Sequence, residues 1–138
     1  FELFKEHVAY AQRMMDDIID LEMEKIDAII HKIDSDPESD EIKATEKNLW
    51  IKIRKKTIEG RRTGVGITAE GDMLAALGIK YGSKEGNEFS TLVHKTLALA
   101  AYRSSVEMAK ERGAFAIYDA KREAKNPFIL RMKEADPE

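Results

Sequence analysis

A chain of 138 residues, 43% apolar and 36% charged, suffices for one domain with its own core and is too apolar to be disordered. A net charge of −3 argues against nucleic acid as a partner, and the absence of cysteine excludes a disulfide frame, a zinc–thiolate site and a thiol nucleophile. No apolar run approaches the roughly 20 residues that span a bilayer and no signal-peptide pattern opens the chain, so no membrane contact and a cytoplasmic location are expected.

Phe4, Val8, Ala11, Met15, Ile19, Met23, Ile26, Ile30 and Ile33 recur about every 3.6 residues, which predicts one long amphipathic helix. That period suits packing into a globular neighbour better than the 3.5 or so of a supercoiled pair. Asp34 to Asp40, around Pro37, supply turn and capping residues, and a second helix follows with Ile42, Leu49, Trp50, Ile53 and Ile58 on its buried side. Residues 1–41 hold 13 acids and 4 bases, whereas residues 42–63 hold 8 bases and 2 acids. An acidic helix beside a basic one predicts an antiparallel hairpin over residues 1–59, its orientation selected by charge.

From Gly60 to Thr68 the helical period breaks, and the alternation of apolar and small residues reads as an extended segment or short strand. Nothing else in the chain looks like its sheet partner. A lone strand leaves its backbone groups unpaired, so the segment is expected to belong to a sheet completed by other sequence. Thr68 is the expected cap of a short helix carrying Met73, Leu74 and Leu77, ended by Gly78. Ser83 begins a long helix that ends at Gly113 and buries Phe89, Val93, Leu97, Ala100 and Ser104. Its small residues Ala98, Ala100, Ala101, Ser104 and Ser105 would let another backbone approach closely. Asp119 is placed to cap a short helix, and Asn126-Pro127 starts another. The fold class is therefore mainly α. The chain opens without Met and closes on Asp136-Pro137-Glu138, which suggests a piece of something longer.

Several patterns invite a chemical reading. Asp16-Asp17-Ile18-Ile19-Asp20 matches the DDxxD pattern of helical isoprenoid synthases, in which carboxylates one turn apart hold magnesium and a diphosphate. A second aspartate-rich helix is missing, so a solvated acidic face is preferred. Asp20, Glu24, Asp27 and His31 share a helical side, but a bundle-core metal site needs Glu-x-x-His pairs from further helices. Asp34, Asp36 and Glu38 imitate a calcium loop that fails at Ser39 and Thr45. Gly64-Val65-Gly66-Ile67-Thr68-Ala69 fits a relaxed dinucleotide fingerprint without the preceding strand that such a motif needs. No metal site is expected. Lys52, Arg54, Lys55, Lys56, Arg61 and Arg62 form a basic cluster whose preferred partner is the acidic first helix. His94 and Tyr102 have no evident acid or base partner in the sequence and are read as packing residues.

Gly60-Arg61-Arg62-Thr63-Gly64-Val65-Gly66-Ile67-Thr68-Ala69-Glu70-Gly71-Asp72-Met73-Leu74, then Leu77 to Ser83, His94-Lys95-Thr96 and Ala101 to Ala114, resemble linked segments of the ribonucleotide reductase large (catalytic) subunit. The wording is closest to the adenosylcobalamin-dependent class, class II, and the resemblance covers about residues 60–116. It implies a ten-stranded α/β barrel that reduces ribonucleotides to deoxyribonucleotides through a cysteine thiyl radical, assisted by a glutamate, an asparagine and a reducing cysteine pair. None of those residues can be carried over to a chain without cysteine, so no catalytic residue is assigned.

By the same resemblance, the catalytic cysteine–glutamate loop would precede Phe1 and the phosphate-binding loop would follow Glu138. Residues 1–138 would then be one helical fragment: the hairpin, then from residue 60 an extended segment and the helices of the barrel wall. Residues 63–68 would be its barrel strand, and Arg61 and Arg62 at the mouth of that strand are the candidates for contact with a phosphate or with structural carboxylates. The fragment alone is expected to be inactive and to hold no cofactor. Its partners would be the rest of the reductase chain and, in the intact enzyme, nucleotides. Barrel-facing surface on residues 63–68 and on the small-residue helix is expected to lie open and to promote self-association. A free-standing helical interaction module is the alternative reading, and DDxxD-type magnesium–diphosphate binding a more distant one.

Overall fold

The computed structural model describes residues 1–135; the closing Asp136-Pro137-Glu138 lies outside the described residues. Among the described residues the chain forms α1 (Glu2–Ile33), α2 (Asp40–Gly60), α3 (Glu70–Ala76), α4 (Lys84–Arg112), α5 (Ala120–Glu123) and α6 (Pro127–Ala135). The architecture is mainly α, as expected. Val8, Ile19, Ile26 and Ile33 of the predicted stripe are the buried residues of α1, with Ile26 and Ile33 the most enclosed.

α1 is the central element, packed against both α4 and α2. It runs beside α4 in the same direction: the rings of Phe1 and Phe89 lie 6.0 Å apart, and further along Arg13 grips Glu111. Between those points Ser104 Oγ donates to the Ala9 carbonyl at 3.0 Å. A hydroxyl can reach the backbone of a neighbouring helix only where small side chains let the two approach, and Ala100, Ala101, Ser104 and Ser105 provide that. The expectation that this small-residue face lies open is therefore corrected. Ala100 is buried, and Ala98, Ala101, Ser104 and Ser105 are half-buried, because α1 packs there.

α2 returns antiparallel along the second half of α1, with Lys47 on Asp34, Arg54 on Asp27 and Arg61 on Asp20. The apolar side assigned to α2 does not bury as expected. Ile42, Leu49 and Ile58 are exposed, Trp50 and Ile53 are half-buried, and Gly60 is the one buried residue of the helix. The physical reason is spacing: Lys47, Arg54 and Arg61 lie two turns apart on the side facing α1, so ion pairs rather than an apolar stripe set the rotation of α2.

Residues 61–69 form neither helix nor paired strand. Arg61, Thr63, Val65 and Ile67 are half-buried while Arg62, Gly64, Gly66 and Thr68 are exposed, the two-residue period of a strand with one covered face. Gln12 Nε2 donates to Thr63 Oγ1 at 3.0 Å and ties this segment to α1. Arg61 (φ 39°) and Ala69 (φ 60°) stand at its two ends, both left-handed. Ala69, not Thr68, is the N-cap of α3, and it offers no side-chain cap. This corrects the expected start of that helix.

Gly78 (φ 70°) ends α3 by a paired closure: the Ile79 amide donates to the Leu74 carbonyl and the Gly78 amide to that of Ala75, at 2.9 and 3.0 Å. Ser83 caps α4, its hydroxyl accepting from the Gly86 amide at 3.1 Å and donating to the Lys80 carbonyl at 2.6 Å. A Cβ on Gly86 would stand 2.8 Å from that same carbonyl oxygen. Glycine inside a helix ordinarily loses about 1 kcal/mol relative to alanine. Here the sign is expected to reverse, with Gly86→Ala costing about 1–2 kcal/mol of overpacking in a urea titration followed by circular dichroism. Gly113 (φ 85°) closes α4; beyond it Asp119 caps α5 through the amides of Lys121 and Arg122, and Asn126 accepts from the Phe128 amide where Pro127 opens α6. No helix among the described residues is long and apolar enough to cross a membrane.

Candidate functional site

The segment from residue 61 to 65, the second half of α4 and the turn after Gly113 enclose an open cavity of about 1490 Å³. Arg61 and Arg62 both line it, yet they are disposed differently. As the left-handed C-cap of α2, Arg61 projects back onto α1. Its Nε donates to Asp16 Oδ1 at 2.7 Å, Nη1 to Asp20 Oδ1 at 2.7 Å and Nη2 to the Asp16 carbonyl at 2.9 Å. Arg112, in the last turn of α4, donates from Nη1 to Asp16 Oδ2 at 2.6 Å and to Asp17 Oδ1 at 2.8 Å.

Asp16 is thus the point where α1, the end of α2 and the end of α4 meet, with its side chain only 13% exposed. The Arg61 hydrogen bond, seconded by that of Arg112, holds the Asp16 carboxyl below the usual aspartate range against the opposing effect of burial. Those carboxylates likewise raise the pKa of Arg61. The three aspartates of the DDxxD pattern therefore face guanidinium groups. Asp27, Asp34 and Asp36, from the other acidic patterns, pair with Arg54, Lys47 and Lys32. Glu24 and His31 are exposed. No group of three or more His, Asp or Glu side chains among the described residues is placed to hold a metal ion.

Arg62 is exposed on the cavity wall and has no acidic partner among the described residues. Its neighbours Gly64 and Gly66 present bare backbone to open space. Tyr102 packs its ring on Phe128 at 5.7 Å. His94 does have an acid nearby, contrary to the sequence reading: with Nδ1 protonated it donates to the Ser90 carbonyl at 3.0 Å, and that nitrogen lies 3.8 Å from Glu70 Oε1, a buried oxygen without a hydrogen bond. Two elements distant in sequence make this pair, so helical spacing could not reveal it. The role of Arg112 was also missed, because its partners lie 95 and 96 residues away.

Acid and base neutralise one another at Asp16, and residues 61–69 form neither helix nor paired strand. The chain belongs to the ribonucleotide reductase family: the model described as Ribonucleotide reductase, barrel domain, matches residues 1–136. It is 30% identical over 117 residues to the ribonucleoside-diphosphate reductase subunit alpha of Chlamydia pneumoniae, covering 85% of this chain and 9% of that protein. Over 66 residues it is 36% identical to the vitamin B12-dependent ribonucleoside-diphosphate reductase of Mycobacterium tuberculosis (strain ATCC 25618 / H37Rv), 48% of this chain and 9% of that one. The large subunit of the African swine fever virus enzyme (isolate Tick/South Africa/Pretoriuskop Pr4/1996) is 36% identical over 61 residues, 44% of this chain and 8% of that protein. The chain thus spans less than a tenth of the length of these relatives. No solved structure matches it.

Proposed function

We propose that this chain is scaffold from the barrel of a cytoplasmic, adenosylcobalamin-dependent ribonucleoside-diphosphate reductase, and that it is inactive when separated from the rest of that enzyme. The observation that carries the reading is the segment at residues 61–68, which has the burial period of a strand and no strand beside it among the described residues. A barrel supplies the neighbours that such a segment lacks. Residues 1–59 then form a hairpin outside the barrel strand and residues 70–135 its wall. On this reading thiyl chemistry and the dithiol reductant would belong to other parts of the enzyme, since this chain has no cysteine.

The residues present do not fit adenosylcobalamin. His7, His31 and His94 are all exposed, none of them lines the cavity at Arg61, and the guanidinium of Arg61 is engaged by carboxylates. No step is therefore assigned to this chain through the cofactor. Of the two arginines at the mouth of the segment, Arg62 is the one free to meet a phosphate, while Arg61 serves the Asp16 junction.

Incubated with a ribonucleoside diphosphate, adenosylcobalamin and a dithiol, the purified chain is expected to form no deoxyribonucleotide; turnover would overturn the scaffold reading. Grafted over the matching segment of the Mycobacterium tuberculosis enzyme, it is expected to sustain reduction, and Arg62→Ala in the graft to raise KM with little change in kcat. A folded graft without activity would count against the barrel assignment.

A further inference from the structure

Arg62 stands between two residues that are both fastened to α1. On one side Arg61 is held by Asp16, its Nε donating to Oδ1 at 2.7 Å and its Nη2 to the carbonyl at 2.9 Å. On the other side Thr63 Oγ1 accepts from Gln12 Nε2 at 3.0 Å. Gln12 and Asp16 are about one turn apart, hence neighbours on one face of α1. Arg61 and Thr63 are half-buried against that face, whereas Arg62 is exposed and lines the cavity. The stem of Arg62 lies over Gly60, the buried glycine that ends α2: a Cβ there would stand 3.5 Å from Arg62 Cγ and Nε and 3.6 Å from Ile117 Cδ1.

The ion pairs at Asp16 leave the Gln12 contact unexplained. An amide bonded to a hydroxyl of an unpaired segment adds little to a core, but it settles which way that segment faces. In an extended chain successive side chains point to opposite sides. With Arg61 and Thr63 both turned to α1, the residue between them is turned the other way. Rotation of the segment about its own axis, the motion that carries Arg62 off the cavity, requires both ties to break. A cation whose backbone is already oriented surrenders less freedom when it meets an anion. We propose that Gln12 is a positioning residue, which with Asp16 fixes the rotation of this segment and so aims the Arg62 guanidinium into the cavity to meet a phosphate. The proposal rests on the reading of Arg62 as the phosphate contact of the reductase.

In the graft into the Mycobacterium tuberculosis enzyme, Gln12→Leu is expected to raise KM for the ribonucleoside diphosphate about three- to tenfold, the range that one hydrogen bond commands, with kcat little changed. Thr63→Val keeps the branched shape and removes the acceptor, so it is expected to match Gln12→Leu; Thr63→Ser keeps the hydroxyl and is expected to restore the unaltered KM. In a graft that already carries Arg62→Ala, Gln12→Leu is expected to raise KM no further, because a positioning residue acts only through the residue it positions. Ser104→Ala, which removes another hydrogen bond to α1, is the control and is expected to leave KM unchanged. If Arg62→Ala alone leaves KM unchanged, the phosphate reading falls and this proposal with it. If Arg62→Ala raises KM while Gln12→Leu and Thr63→Val do not, the phosphate reading stands and the positioning role of Gln12 is overturned. Equal effects of Gln12→Leu with and without Arg62, or an equal effect of Ser104→Ala, also overturn it, since Gln12 would then be a structural tie alone.

Discussion

Replacing Asp16 by alanine is expected to destabilise the chain by about 2–3 kcal/mol, the cost of leaving the partners of a largely buried charged hydrogen-bond network without their acceptor. Asp16 accepts from Arg61 through Oδ1 and from Arg112 through Oδ2, so its removal loosens the ends of α2 and α4 together. The pH dependence follows from the same contact. Because the carboxyl is held below its ordinary range in the folded chain, its contribution is complete above the unfolded value of about 3.9. It is lost as pH falls through that value towards the lowered one. Urea midpoints measured from about pH 6 to pH 3 are expected to fall more steeply for the unaltered chain than for Asp16→Asn. Parallel curves would remove Asp16 from the explanation of acid sensitivity.

Ile26→Ala is expected to cost more, about 3–4 kcal/mol, and Ile26→Val about 1 kcal/mol, as read from denaturant unfolding. Ile26 is 2% exposed, and only a few other large side chains are enclosed so fully. A small core leaves few alternatives for repacking, so a cavity at this site is not readily filled. A loss below about 1 kcal/mol for the alanine variant would mean that α1 is not the centre of the core.

What the sequence disclosed and what it withheld follow a physical division. Local hydrogen bonds and periods were legible: the stripe of α1, the Ser83 and Gly113 limits of α4, the Asp119 cap and the Asn126-Pro127 start all depend on residues within a turn or two. Choice of partner was not. The period of α1 says which face is apolar but not that α4 packs against it as well as α2, and the apolar residues of α2 gave no sign that ion pairs would set its rotation. The candidate site divided in the same way. The sequence marked Arg61 and Arg62 together, whereas only the fold could show one of them committed to Asp16 and the other open. The alternation at residues 63–68 was legible because a strand writes its period locally, whatever completes it.

The left-handed residues at the two ends of that segment have a consequence for assembly. Neither is glycine, and an L-residue in this conformation is held there by its surroundings at a cost of about 1–2 kcal/mol. Arg61 is fixed by its guanidinium on Asp16 and Asp20, and Ala69 by its place at the head of α3. Between these two ends the hydrogen bond from Gln12 to Thr63 ties the segment to α1. In the barrel proposed above, a segment held at both ends would lose less conformational entropy on pairing with a neighbouring strand than a free one.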